Sequence, residues 1–242
     1  MIDTHAHLGD DAAEVLERAR DAGVNRVIDV ATTIEGGRAS LARAESHDDL
    51  HVVVGIHPHE AANDVDLSAL RELLAHPKAV AVGETGLDYY RDYAPRAAQQ
   101  QLFEAQLELA RETGKPVVIH TRAADDDTGS RLVQHPGPVI LHCFSSPPLL
   151  DAALEHDWYV SFAGNVTYKN AYDLRDAARR VPTELLLAET DSPYLAPQPV
   201  RGRRNEPAFV RHTYEALAEL RGADAGELAV QIEANAARVF GL

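Results

Sequence analysis

Among 242 residues there is a single cysteine, Cys143, so no disulfide can form within the chain, which agrees with a reducing compartment. Lysine is nearly missing: Lys78, Lys115 and Lys169 are the only three, and arginine supplies the rest of the fixed positive charge. Acidic groups outnumber both, and the formal net charge is -15. That balance argues against general, charge-driven adhesion to nucleic acid, while leaving room for a local basic patch. A salty cytoplasm and a GC-rich genome would each produce such a composition. Hydrophobic runs are short, none near the ~20 residues of a membrane span, and no basic segment precedes an apolar one at the amino terminus. The expectation is a cytoplasmic protein without membrane contact. Repeats, low-complexity tracts and an interdomain linker are also missing.

What the chain does have is alternation. Its length is near the ~250 residues typical of an eight-stranded α/β barrel and suffices for one sizeable core. Eight β-rich runs, "MIDTH", "RVIDVAT", "HVVVGIH", "AVAVGET", "PVVIHT", "PVILHCF", "WYVSFAG" and "LLLAETD", alternate with helical patterns. Most are continuously apolar, as parallel strands covered on both faces are. In "DDAAEVLERARDAG", Asp11 is a candidate N-cap, with Glu14 three residues on and Gly23 as the stop. "PRAAQQQLFEAQLELARETG" begins at Pro95, ends at Gly114, and aligns Leu102, Phe103, Gln106, Leu109 and Ala110 on one side. Further helices are expected in "PPLLDAALEHD", "NAYDLRDAARRV", "PAFVRHTYEALAELRG" and "DAGELAVQIEANAARVF".

Such alternation implies a parallel sheet with right-handed crossovers. Eight strands are expected to close as a single-domain α/β fold, a (β/α)8 TIM barrel over residues 1–242. An open doubly wound sheet would typically carry a Gly-rich turn after its first strand, and this chain lacks one. The longest irregular stretch, "SPYLAPQPVRGRRNEP", follows the eighth strand and reads as an active-site loop.

The opening "MIDTHAHLGD" sets Asp3, His5 and His7 at alternating positions, on one face of a strand. That spacing suits a metal and also occurs without one. In an α/β barrel, chemistry sits at the carboxyl ends of the strands, and this criterion sorts the histidines. His47, His51, His76, His135, His156 and His212 fall on helices, helix ends or strand starts. His5, His7, His57, His59, His120 and His142 fall at or just past strand ends, joined by Glu84 in "VGETGLD" and Asp191 in "AETDSP".

Strand ends one, four, five, six and eight thus supply His5, His7, Glu84, His120, His142 and Asp191. These suffice for two divalent ions sharing a carboxylate, with Glu84 as the natural bridge. Mixed nitrogen and oxygen ligation suits Zn, Mn or Fe, and admits Mg where carboxylates and water dominate. Many metal hydrolases on this barrel bridge their ions with a carboxylated lysine, but none of the three lysines lies at the end of strand four. Cys143 neighbours His142, points to the opposite face of a strand, and reads as a core thiol. Glu189, two residues before Asp191, shares its face.

Seven segments in order, "DTHAH", "GIHPH", "GETGLDYY", "IHTR", "HCFS", "ETDSPYL" and "RGRRNEP", cover nearly the whole chain. Together they resemble the TatD family of metal-dependent deoxyribonucleases, within the amidohydrolase-like TIM barrels. The resemblance implies a two-metal hydrolase, a deoxyribonuclease with 3′→5′ exonuclease activity. It also implies His5, His7, Glu84, His120, His142 and Asp191 as ligands of two ions, Mg, Mn or Zn. Two departures bear on substrate preference: Ser146 replaces the glycine of "HCFSG", and the acidic "AADDDT" follows "IHTR".

The expected chemistry is in-line attack on phosphorus by a metal-activated water, with Asp191 orienting the water and taking its proton. His57 and His59 are expected to contact a phosphate. Arg122 either binds phosphate bidentately or pairs with Asp125 or Asp126. Arg201, Arg203 and Arg204 form the densest basic cluster, read as a phosphate-binding rim or as solvated charge. Tyr89, Tyr90 and Tyr194 either stack on an unpaired base or pack against loop backbone. Asp3, deeper on the first strand, is placed to hydrogen-bond a ligating imidazole. The expected substrate is DNA, single-stranded or at 3′ ends. The alternatives are a D-aminoacyl-tRNA deacylase acting on tRNA or another ester or amide hydrolase, a small-molecule amidohydrolase, and a metal-stabilised binding protein without catalysis.

Overall fold

The computed structural model describes residues 1–91 and 93–242. Its strands are β1 (Ile2–Ala6), β2 (Arg26–Val30), β3 (Leu50–Val54), β4 (Ala79–Asp88), β5 (Val117–Arg122), β6 (Val139–Leu141), β7 (Tyr159–Phe162) and β8 (Leu186–Ala188). They follow one another in sequence order in one eight-stranded sheet, the arrangement of a (β/α)8 barrel. The pairs β1–β2, β3–β4, β4–β5, β5–β6 and β7–β8 are all parallel. The helices are α1 (Ala12–Asp21), α2 (Ile34–Ala44), α3 (Leu67–Leu74), α4 (Arg96–Thr113), α5 (Asp125–Leu132), α6 (Leu150–Glu155), α7 (Tyr172–Arg180), α8 (Val210–Arg221) and α9 (Ala225–Phe240). No helix among the described residues is long and apolar enough to cross a membrane.

Three helices, α2, α3 and α5, are absent from the sequence reading. Two of them begin on ordinary caps: Thr33 accepts from Gly36 N at 3.0 Å, and Asp66 accepts from Ser68 N and Ala69 N at 3.0 Å. The third opens with Asp125, Asp126 and Asp127, where negative charge favours the positive end of a helix. This accounts for the acidic departure after "IHTR". Asp11 does stand at the start of α1, but its carboxylate makes no cap bond and accepts from Arg204 instead.

Internal packing divides the chain into two compact units, residues 1–29, 142–147 and 159–242 in the first, residues 30–141 and 148–158 in the second. In the first, β1 is laced to the segment that follows β8. Asp191 N donates to His5 O at 2.9 Å, and His7 N to Ser192 O at 2.8 Å. Asp3 accepts from Thr190 N at 2.8 Å and from its hydroxyl at 2.6 Å. Tyr214 of α8 clasps the start of β1 by donating to Ile2 O at 2.9 Å. Asn205 donates to Thr190 O at 2.9 Å and to Tyr194 O, so the long loop after β8 is tied back to its own root.

In the second unit, two buried glutamines of α4 hold the loops that follow β3 and β4. Gln106 donates to Ile56 O at 2.9 Å and Thr85 Oγ1 at 2.6 Å, and accepts from Ile56 N at 2.8 Å. Gln99 donates to Asp88 O and Ala94 O and accepts from Asp88 N. Gly86 has φ +139°, and a Cβ there would lie 2.0 Å from His120 O, so only glycine lets β4 and β5 approach this closely.

His135, also in the second unit, is 7% exposed, and neither of its ring nitrogens has a hydrogen-bond partner among the described residues. Burial pushes its pKa down, and the Arg111 charge adds to the shift. A ring whose folded pKa is depressed contributes stability above the ordinary imidazole value of about 6.5, and loses it as pH falls. His135→Leu should therefore flatten the fall in stability on acidification through that range, measured by urea unfolding at a series of pH values. An unchanged slope would show that His135 is not a source of the acid sensitivity.

Candidate metal centre

In the first unit, β1 ends at Ala6, and His7 stands just past it. The His5 and His7 rings lie edge to face with centroids 5.0 Å apart, and their Nε2 atoms are 3.3 Å apart. His142 follows directly on β6 and stacks on His5, centroids 3.9 Å apart at 14°. His7 Nε2 is 3.5 Å from Asp191 Oδ1. Asp191 and Cys143 both have left-handed backbone, φ +52° and +43°, a conformation costing about 1–3 kcal/mol that concentrates at functional sites. Cys143 therefore sits in a turn, half-buried, rather than on a strand face toward the helices. β6 is shorter than the apolar run suggests, because the backbone turns at His142–Cys143.

Glu189, wholly buried, receives the turn. Its Oε1 accepts from Cys143 N at 2.8 Å and faces His142 Nδ1 at 3.2 Å. A proton on Nδ1 donating to this carboxylate places the lone pair on Nε2, the usual preparation of a metal-binding imidazole. Glu189 Oε2 is buried without a hydrogen-bond partner among the described residues. Donor atoms of His5, His142 and Glu189 all lie within 4.8 Å of one another, a set that fits a divalent cation. Burial opposes ionisation of Asp191, but the hydrogen bond with His7 and the charges of His142 and His5 outweigh it and hold the carboxyl below its usual range. Asp3 meets His5 through the main chain, accepting from His5 N at 3.3 Å, and burial pushes its carboxyl up to about 8 despite the bonds from Thr190 and His5.

The second unit carries a cluster of its own. His59 N donates to His57 Nδ1 at 3.2 Å, which puts the His57 proton on Nε2, 3.5 Å from Glu84 Oε1. His120 has a carboxylate at each nitrogen: Glu84 Oε1 at 2.9 Å from Nδ1 and Asp88 Oδ2 at 3.3 Å from Nε2. His59 Nε2 reaches the same Asp88 oxygen at 2.9 Å. Donor atoms of His57, Glu84 and His120 form a second set within 4.8 Å. Burial keeps His57 below the ordinary imidazole range, with the nearby Glu84 charge opposing. Burial opposes ionisation of Asp88 too, but hydrogen bonds from His120, Arg91 N and His59 hold it well below the carboxylate range.

Both clusters stand at strand ends of an eight-stranded α/β sheet, in a chain whose motifs run from its first strand to its last. The family model described as "TatD related DNase" matches residues 2–241. The chain belongs to the TatD family. It is an enzyme, a metal-dependent hydrolase. It is 37% identical over 251 residues to the metal-dependent hydrolase YabD of Bacillus subtilis, covering 99% of this chain and 98% of that one. It is 36% identical to the "3′-5′ ssDNA/RNA exonuclease TatD" of Erwinia tasmaniensis, covering 99% and 97%. The crystal structure of YJJV, a TatD homologue of Escherichia coli, superposes with a TM-score of 0.93 at 31% identity, covering 100% and 98%.

A cleft of about 360 Å³ in the first unit is lined by His7, Asp11, Arg18, Arg203, Arg204 and Glu206, among others. Arg204 pairs with Asp11 and Arg18 with Glu206, whereas Arg203 lies 4.9 Å from the Phe209 ring and has no acidic partner among the described residues. Arg201 covers the Tyr168 ring at 4.1 Å. In the second unit, Arg122 covers the Tyr90 ring at 4.1 Å rather than pairing with Asp125 or Asp126. Asp88 is absent from the candidate residues read from sequence. Glu84, Gly86 and Asp88 alternate onto one face, but β4 runs three residues beyond the segment "AVAVGET".

Removing Asp3 tests how the first cluster is held. Asp3→Ala leaves Thr190 N and the Thr190 hydroxyl without their acceptor and should lower unfolding stability by about 1–3 kcal/mol in a urea titration. A change within about 0.5 kcal/mol would show that the β1-to-Thr190 link contributes little.

Proposed function

We propose that the chain acts as one catalytic domain over residues 1–242, a cytoplasmic nuclease that hydrolyses phosphodiester esters, releasing nucleotides from the 3′ end of DNA. The observation that carries this reading is the crowding of ligand atoms: His5 and His7 turn Nε2 atoms toward each other at 3.3 Å, and His120 holds a carboxylate at each nitrogen. Imidazole nitrogens and carboxylate oxygens gathered this closely are the donor set that divalent cations take. His5, His7, Glu84, His120, His142 and Asp191 would hold two divalent ions, Mg, Mn or Zn. When bound, such ions supply an acidified water and positive charge to balance the phosphoryl oxygens.

The protein's own groups divide the remaining work. Asp191 is ionised near neutral pH, as a group that orients water and accepts its proton at a carboxylate oxygen must be. His57 and His59, whose ring centroids are 4.2 Å apart, are the pair that would lie against a phosphate of the substrate. Arg122 and the Arg203–Arg204 pair supply guanidinium groups for flanking phosphates. The exonuclease name of the Erwinia relative supports a polynucleotide substrate, with release from the 3′ end.

A substrate panel tests the reading directly: single-stranded DNA, duplex DNA, RNA and D-aminoacyl-tRNA, each with Mg, Mn or Zn. Mononucleotide release from DNA 3′ ends is expected. Deacylation of the charged tRNA without nucleotide release would replace the nuclease reading. Glu84→Gln should remove at least ~99% of activity, the scale of losing one preorganised electrostatic group, and should lower metal content of the purified protein without unfolding it. Near-wild-type turnover would exclude Glu84 as a metal ligand. Arg203→Ala with Arg204→Ala should weaken DNA binding and flatten its dependence on salt by about one to two in log–log slope. An identical slope would mark the cluster as surface charge only.

A further inference from the structure

Four of the exposed large apolar side chains are tyrosines, and two of them, Tyr90 and Tyr93, lie within four residues of each other in the loop after β4. They are 64% and 63% exposed. Single exposed rings are ordinary, but these two are each held by a neighbour. The Arg122 guanidinium lies 4.1 Å from the Tyr90 centroid, with Arg91 farther off at 5.9 Å. The His59 ring meets Tyr93 edge to face, centroids 4.7 Å apart. His59 in turn touches Asp88, which touches His120, so Tyr93 stands one ring away from the second metal-binding cluster. Tyr89, by contrast, is committed: its hydroxyl donates to Asp127 at 2.6 Å, and Arg96 covers its ring at 4.3 Å.

We infer that Tyr90 and Tyr93, with Arg122 and His59 beside them, form a platform on which unpaired bases of the substrate strand stack, making the enzyme selective for single strands. The inference rests on the nuclease reading and specifies how that site chooses its substrate. Rings already held by a cation or an imidazole lose little freedom when a base arrives. Every base offers a π-face, so stacking tolerates sequence, and planar guanidinium groups such as that of Arg122 stack on bases as well. In a duplex those faces are occupied by neighbouring bases, so a paired strand cannot use the platform. Charge points the same way. A chain of net charge -15 draws little affinity from phosphate attraction at large, which leaves uncharged contact with bases to supply more of it.

The test compares wild type with a Tyr90→Ala/Tyr93→Ala variant and a Tyr90→Phe/Tyr93→Phe variant. KM and kcat are measured on oligothymidylate and on blunt duplex with the metal-loaded enzyme. Binding of a labelled oligothymidylate is followed by anisotropy in the presence of chelator. The alanine variant should lose about tenfold or more in single-strand affinity, with the loss in KM exceeding that in kcat, and the phenylalanine variant should restore it. The duplex parameters should move less than the single-strand ones. Equal single-strand KM in the alanine variant and wild type overturns the platform, as does an equal loss on single strand and duplex. If wild type cleaves small esters but no oligonucleotide, the nuclease reading fails and the platform fails with it. Cleavage of DNA by wild type with an unaffected alanine variant overturns the platform alone.

Discussion

The lacing of β1 to the segment after β8 is the constraint on which the cluster of the first unit depends. Two backbone hydrogen bonds and the Asp3–Thr190 link join residues as far as 187 positions apart in sequence. Closing so long a loop costs chain entropy, though the cost grows only with the logarithm of its length. Once it is closed, His5, His7 and Asp191 share a register, because Asp191 N is bonded to the carbonyl of His5 itself. The same seam holds Asp191 in left-handed backbone, a conformation that aspartate tolerates better than most residues. Asp3 belongs to this seam: it holds the main chain of the site in place, and its contact with His5 is through the backbone.

The second unit solves an equivalent problem from the helix side. Gln99 and Gln106 project from α4 into the strand layer and satisfy backbone groups at Ile56, beside His57, and at Asp88, the last residue of β4. Buried loop backbone without such partners would be costly, so two amides of the helix make the strand-end loops structurally affordable. Gly86 completes the arrangement by admitting the His120 carbonyl where any side chain would collide. Polar groups that look out of place on an amphipathic helix thus set the geometry of the imidazoles and carboxylates at the strand ends.

Much of this was legible in the residues. Eight apolar runs separated by helical periodicity lead to the eight-stranded sheet, and the six strand-end histidines fall within the two clusters. The less legible parts have identifiable causes. β6 and β8 are three residues each, shorter than their apolar runs, because the chain turns into irregular backbone at His142 and after Ala188. α3 and α5 are eight residues each, too short to show a full amphipathic stripe, and α2 carries two glycines in its first turn. The arginines and tyrosines of the rim were visible as residue types. Their pairings were not: Arg204 with Asp11, Arg122 over Tyr90 and Tyr93 against His59 each join separate elements or loops.

The sequence by itself therefore determined the strand count, the family, and which imidazoles and carboxylates belong at strand ends, since each of these depends on local periodicity or on a contiguous motif. Only the tertiary structure decided the roles that depend on partners distant in the chain. It made Glu189 the buried acceptor behind His142, and Asp88 the carboxylate shared by His59 and His120. It also separated Tyr89, anchored to Asp127, from the exposed Tyr90 and Tyr93. The physical reason is common to all of them: a carboxylate or an aromatic ring takes its function from the group it faces, and that group is chosen by packing rather than by the neighbouring residues in sequence.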